Sequence, residues 1–194
     1  ETSSYRSNPI KLSEFALSRR VPEYVGRSKA ARDLADAVRE GVIPDELTAV
    51  MEALALPVEA LKDTTIGSGV FANRPGDGSA REQAASCQKV LGGVANIAYS
   101  YATKRYRSNC INWGIVPFTL DESTPFDYQP GDYLFVPGIK EAVKDGKEDI
   151  PGKVVTSSGV KDILLHVKGL TEDEKAIILE GCLINYYAAG YGKD

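Results

Sequence analysis

The stretch "PGDGSAREQAAS", residues 75–86, sets a hydroxyl, Ser79, and a guanidinium, Arg81, behind a glycine-bearing turn at the start of a helical pattern. A helix N-terminus carries partial positive charge, and a cation there is disfavoured by about 0.3–1 kcal/mol. Arg81 therefore gains nothing locally, and an anion belongs beside it. Gly76 and Gly78 let backbone N–H groups approach such an anion closely, as helix N-termini behind glycine turns do. Backbone donors, a hydroxyl and an arginine together suit a carboxylate or a phosphate. A purely structural reading stands next to this one. Ser79 and Glu82 have the S-x-x-E spacing of a capping box, in which the serine caps the helix and the glutamate bonds back to it. That reading accounts for the serine and leaves Arg81 unexplained.

Other chemistries find less support. "GSGVFA", residues 67–72, has the shape G-x-G-x-x-A, but the chain then runs into "NRPGDG" where a dinucleotide site needs a helix, and no G-x-x-x-x-G-K-S/T occurs. Of three cysteines, Cys87, Cys110 and Cys182, no two have C-x-x-C spacing, so this chain offers no metal site. Cys87 and Cys182 fall on apolar helical faces and read as core thiols; Cys110 falls near a helix end, where it is expected to be more exposed. The one histidine, His166, sits in "DILLHVK", whose alternation gives it one sheet face and a structural role. The segment "YATKRYRSNCINW" mixes aromatics with cations, but the aromatics recur at helical spacing and suit packing against a sheet better than stacking on bases.

These residues need elements to hold them. Helical periodicity runs from Ser28 to Arg39, with Ala31, Leu34, Ala35 and Val38 on one face and Gly41 as a stop. A second helix starts after Pro44, with Asp45 and Glu46 in its first turn. Both read as an N-terminal layer or lid. A helix over 80–91 leads to a strand in "VANIAYS", then to a helix in "YATKRYRSNCINWG" ending at Gly114. "VPFTL", "GDYLFVPG", "KVVTSS" and "DILLHVK" read as strands, the last two as a hairpin. One terminal helix, "TEDEKAIILEGCLINYYAAG", opens on Thr171 with Glu174 as its capping-box partner. Loops are expected at 121–130 and 145–152. Strands mixed with helices give an α/β fold with a mixed sheet and flanking helices.

The 194 residues are 43% hydrophobic and 26% charged, the balance of an ordinary folded domain. A net charge of -4 argues against a broad nucleic-acid footprint. No apolar run approaches the roughly 18 residues a membrane span needs, and the first residues lack an apolar signal core, so the expected location is cytoplasmic with no membrane partner. The chain opens on Glu1 and has Met51 as its one methionine, which reads as a piece of something longer.

The run Gly76 to Leu120, "GDGSAREQAASCQKVLGGVANIAYSYATKRYRSNCINWGIVPFTL", resembles the C-terminal swivel domain of the aconitase superfamily. That family has a turn of glycine, acid or cysteine, glycine, serine, serine, arginine, glutamate and histidine, then a glycine-containing loop, a short strand, a helix start like "SFARI" and an ending like "N..N.G..P". "YQPGDYLFVPGIKEAV" and the terminal helix resemble the family's later elements, so the likeness runs from about 64 to 189. The resemblance implies a swivelling β/β/α sandwich over 64–194, with residues 1–63 as a partly helical N-terminal extension. It further implies a hydro-lyase that works only together with cluster-bearing domains, in the same polypeptide or a partner chain, which hold a 4Fe-4S cluster. By motif, Ser79 falls on the catalytic base and Arg81 on the arginine that grips a carboxylate of a di- or tricarboxylic acid. Gly78 and Ala80 fall on the substrate-binding turn, and "LSRRVPEY" places Arg19 and Arg20 at a further substrate arginine. Two positions depart from the pattern. Ala80 stands where the second serine belongs and Gln83 where the histidine belongs, which leaves open a non-catalytic anion-binding or regulatory module of this fold, or an isopropylmalate isomerase-like small subunit.

Overall fold

In a computed structural model of the chain, which describes Tyr5 and residues 7–192, one six-stranded sheet runs in the order β1-β2-β3-β6-β5-β4. The strands are β1 (Ser68–Ala72), β2 (Gly93–Ala98), β3 (Val116–Thr119), β4 (Tyr133–Phe135), β5 (Asp149–Thr156) and β6 (Gly159–His166). β1, β2 and β3 are parallel, each joined to the next through one helix: α4 (Arg81–Val90) and α5 (Lys104–Asn112). Parallel neighbours require such crossovers. The other three strands are antiparallel, and a single register pair, Thr119 with His166, joins them to β3. The expected α/β class, with a mixed sheet and flanking helices, is what the chain adopts.

The core lies on the sheet, where Ile97, Phe118, Leu120, Ile150, Val154, Ile163, Leu165 and Val167 pack together. The N-terminal helices α1 (Pro9–Ser13), α2 (Tyr24–Arg39) and α3 (Asp45–Ala53), with a 3-10 turn at Val58–Asp63, sit against this body. Leu34 and Val38 of α2 meet Leu47 and Met51 of α3, and Ile66 and Tyr133 extend the same cluster. Ser28, buried on α2, donates to the Leu91 carbonyl at 3.0 Å, and Glu46 accepts from the Tyr133 hydroxyl. A buried hydroxyl of this kind needs its partner, since an unmet one costs about 1–3 kcal/mol.

Several elements differ from expectation, each for a physical reason. The terminal helix breaks at Gly181 into α7 (Glu172–Glu180) and α8 (Leu183–Ala188); Gly181 takes φ +89° and its carbonyl accepts from Lys89 Nζ at 3.3 Å. That carbonyl also presses on Gly114 so closely that a Cβ there would lie 1.8 Å from it. The expected loop 145–152 is partly strand: β5 already begins at Asp149, where Ile150 is buried, and α6 (Ile139–Lys144) precedes it. Cys110 is fully buried where exposure was expected, because α5 turns that face onto α4 and β2. Cys182, expected in the core, is half-buried at the start of α8.

Candidate functional site

The turn 73–80 leaves the carboxyl end of β1 and enters α4, the edge at which open α/β sheets bind their ligands. Its backbone is held by the neighbouring connection from β2 to α5. Tyr99 N–H donates to the Asn73 carbonyl at 3.2 Å, and Ala102 N–H donates to the Pro75 carbonyl at 2.8 Å. Gly76 has φ +100°, and a Cβ there would fall 2.5 Å from the Tyr106 side chain. Only glycine lets the turn lie flat on that ring.

Ser79 and Gly78 are exposed, and a Cβ at Gly78 would meet nothing within 4 Å. Ala80 is the N-cap of α4, and no side chain caps that helix. The capping box that Ser79 and Glu82 could form is absent. Glu82 turns instead to α5, accepting from Trp113 Nε1 at 2.6 Å and from the Asn109 amide. The serine hydroxyl and the first N–H groups of α4 therefore share one open corner, with the positive end of the helix behind them.

Arg81 is half-buried and folds back over the turn, its Nε donating to the Gly76 carbonyl at 3.2 Å. The same carbonyl accepts from Thr103 Oγ1 at 3.1 Å. Neither bond uses the outer nitrogens of the guanidinium, and among the described residues no carboxylate forms an ion pair with them. Below the turn, Gln88, Asn96, Tyr106 and Cys110 make a buried polar network that ties α4, β2 and α5 together. Gln88 Nε2 donates to Asn96 Oδ1 at 2.6 Å, and the Asn96 amide donates to the Tyr106 hydroxyl at 3.2 Å. Burial pushes the Cys110 thiol up to about 11 and raises the Tyr106 phenol well above its ordinary range. Neither group is a nucleophile at neutral pH.

Beside Thr103 opens a cleft of about 260 Å³ walled in part by Lys104, Arg107, Thr119 and Lys168. Arg107 is engaged there, 3.6 Å from Glu174 and bonded to the Lys168 carbonyl at 2.6 Å. Arg19 and Arg20 occupy an exposed turn after α1. α1 itself packs on α4, yet no hydrogen bond or ion pair among the described residues joins either arginine to the turn. The structure thus brings Gly78, Ser79, Ala80 and Arg81 together and leaves Arg19 and Arg20 outside their bonding network. Thr103 and Tyr106, which meet the turn, and Asn109 and Trp113, which hold Glu82 of α4, went unmarked in the sequence because their partners lie 10 to 31 residues away.

His166 is buried at the joint of the two halves of the sheet. Its Nδ1 is 2.8 Å from Asp149 Oδ1, and Nε2 lies 3.2 Å from Asp121 Oδ1 at an angle that makes no hydrogen bond. Among the described residues, no three histidine, cysteine or acidic side chains gather to hold a metal ion, and no helix is long and apolar enough to cross a membrane. The three thiols are not gathered into any such group, so the residues present do not fit an iron–sulphur cluster.

Residues 40–123, which include the whole turn and its supporting helices, match the sequence family described as the aconitase C-terminal domain. Over this segment, which is less than half of the chain, the sequence is similar to that family. A protein named as a mitochondrial aconitate hydratase in Emericella nidulans is 34% identical over 113 residues, 57% of this chain and 14% of that protein. A 3-isopropylmalate dehydratase small subunit from Metallosphaera sedula is 37% identical over 92 residues, covering 47% of this chain and 53% of that one. The chain therefore spans about one-seventh of the first relative's length and about half of the second's. A solved 3-isopropylmalate dehydratase from Methanocaldococcus jannaschii superposes with a TM-score of 0.40 at 24% identity, over 70% of this chain and 72% of that one.

Proposed function

We propose that this chain is the swivel domain of an aconitase-type hydro-lyase, supplying the base and a carboxylate-binding arginine for dehydration and rehydration of a di- or tricarboxylic acid. The observation that carries the reading is the uncapped corner at Ser79, where a serine with capping-box spacing is left free beside Arg81. Residues 1–63 are read as an extension of this domain. The iron–sulphur cluster of such an enzyme belongs to domains or a subunit outside this chain, and the residues of this chain bind the acid and move its proton.

Arg81 orients one substrate carboxylate through its outer guanidinium nitrogens, a bidentate geometry to which arginine is suited. Ser79 Oγ, as alkoxide, takes the proton from the carbon next to that carboxylate. The C–H electron pair becomes the second bond of the alkene, and the hydroxyl leaves with its bonding pair from the adjacent carbon on the opposite face, to the Lewis acid that the cluster-bearing domains would supply. Rehydration runs the same steps backwards. A serine hydroxyl is a weak base at its free pKa, so the N–H groups of α4 and the nearby guanidinium must stabilise the alkoxide. Lys104 and Lys168 extend the positive field past Thr103 and favour an anionic substrate. Ala80 offers no hydroxyl, so one substrate carboxylate receives one donor fewer than in the usual motif.

A second reading takes the chain as a separate small subunit acting on an isopropyl-substituted acid, which the likeness to the Metallosphaera sedula subunit supports. One assay separates them. The longest native form, with its cluster intact, is offered cis-aconitate, isopropylmaleate and homoaconitate, and loss of alkene absorbance is followed. Turnover of one acid identifies the substrate class, and a kcat/KM that falls in Arg81→Lys supports the arginine's role. If none of the three is hydrated, the turn is a non-catalytic anion site and the hydro-lyase reading fails.

A further inference from the structure

The Gly76 carbonyl is shared by two donors, Arg81 Nε at 3.2 Å and Thr103 Oγ1 at 3.1 Å, and the Thr103 hydroxyl in turn accepts from Tyr106 N–H at 3.2 Å as the N-cap of α5. We infer that Thr103 is a positioning residue for the reaction, fixing through Gly76 the direction in which Arg81 presents its guanidinium. This rests on the reading of Arg81 as a carboxylate-binding residue.

Arg81 has a long side chain with several rotatable bonds, and among the described residues its one hydrogen bond is from Nε to the turn. The acceptor of that bond is a carbonyl in a glycine turn whose backbone bonds, at Asn73 and Pro75, do not engage it. Thr103 supplies that second bond from the start of a helix that is held three ways. Its own cap closes the first turn of α5, Asn96 of β2 bonds Tyr106 in that turn, and Glu82 of α4 bonds Asn109 and the C-cap residue Trp113 at the far end. With the carbonyl pinned between the two donors, Nε is spent on the turn, and among the described residues the two outer nitrogens make no hydrogen bond or ion pair. Release of Thr103 leaves the fold in place but lets the turn pivot, and a misplacement of about 1 Å can cost on the order of a hundredfold in rate.

Two substitutions separate the cap from the bond to Gly76. Thr103→Ser keeps both. Thr103→Asp keeps the cap, because an aspartate accepts the Tyr106 N–H well, but its carboxylate has no proton to donate to Gly76. Both are measured in the full-length enzyme with its cluster loaded, with Arg81→Lys alongside, reading KM and kcat separately together with the melting temperature. The expected result is a serine variant within about twofold of wild type and an aspartate variant of unchanged melting temperature whose kcat/KM falls about tenfold to a hundredfold, KM carrying most of it. An aspartate variant with wild-type KM overturns the inference. If Arg81→Lys nevertheless raises KM, only the role of Thr103 falls; if Arg81→Lys leaves KM untouched, the carboxylate reading of Arg81 falls and takes this inference with it.

Discussion

Two helices of this chain begin with the same local signal and fold differently. "TEDE" at 171–174 and "SARE" at 79–82 both have hydroxyl-x-x-glutamate spacing. At α7 the box forms in full: Thr171 Oγ1 accepts from Glu174 N–H at 3.1 Å, and Glu174 Oε2 accepts from Thr171 N–H at 2.9 Å. At α4 it does not form. The N-cap moves one residue on to Ala80, and Glu82 leaves for Trp113 and Asn109 on α5. A capping box is worth about 0.5–2 kcal/mol, so two hydrogen bonds from a neighbouring helix are enough to outcompete it. Where α7 uses its hydroxyl for stability, α4 leaves one unused on an open corner with an arginine beside it.

Substitutions at the two helix starts should have unlike consequences. The largest effect is expected at Ser79→Ala in the cluster-loaded enzyme, where loss of a positioned base lowers kcat by about 10²–10⁴-fold, read as alkene hydration. Activity within a few-fold of wild type would remove the serine from the reaction. Gly76→Ala puts a Cβ into the Tyr106 ring and strains a positive φ; it should displace the turn and cost about 1–3 kcal/mol of stability in denaturant unfolding. Trp113→Phe removes one of the two α5 donors that hold Glu82. With Glu82 released, the box can close on Ser79, so the helix should gain or hold stability while kcat falls; equal losses of both would contradict the competition. The smallest effect concerns alkaline pH. Because burial raises the Cys110 thiol to about 11 from its usual 9, the unfolded chain loses that proton first. Stability from this group is complete below about pH 9 and declines as pH climbs toward 11, and Cys110→Ala should flatten that decline in urea titrations at stepped pH.

Much of this was legible along the chain because the causes are local. Thr171 and Glu174 marked their helix, Gly41 ends α2 with φ +84°, and the clustering of Gly78, Ser79, Ala80 and Arg81 follows from adjacency alone. What the sequence hid depends on partners far away. The fate of Ser79 was decided by Trp113, 31 residues on from Glu82. The break at Gly181 answers to Gly114 and Lys89, whose approach to its carbonyl no periodicity reveals. The first half of β5 was concealed by Pro151 and Gly152, two residues that read as a turn, although Ile150 and Val154 on the same strand enter the core. Cys110 looked like a helix end and is instead the floor of a three-element polar network.

Everything proposed for the corner depends on Ser79 not being a helix cap, and denaturant unfolding of the full-length protein in two variants, Ser79→Ala and Thr171→Ala, decides that point. Thr171→Ala is expected to lose about 1 kcal/mol, and Ser79→Ala to change by no more than about 0.5 kcal/mol. A loss of about 1 kcal/mol or more in Ser79→Ala would mean that the serine caps α4 after all, and the free corner on which the proposed chemistry stands would not exist.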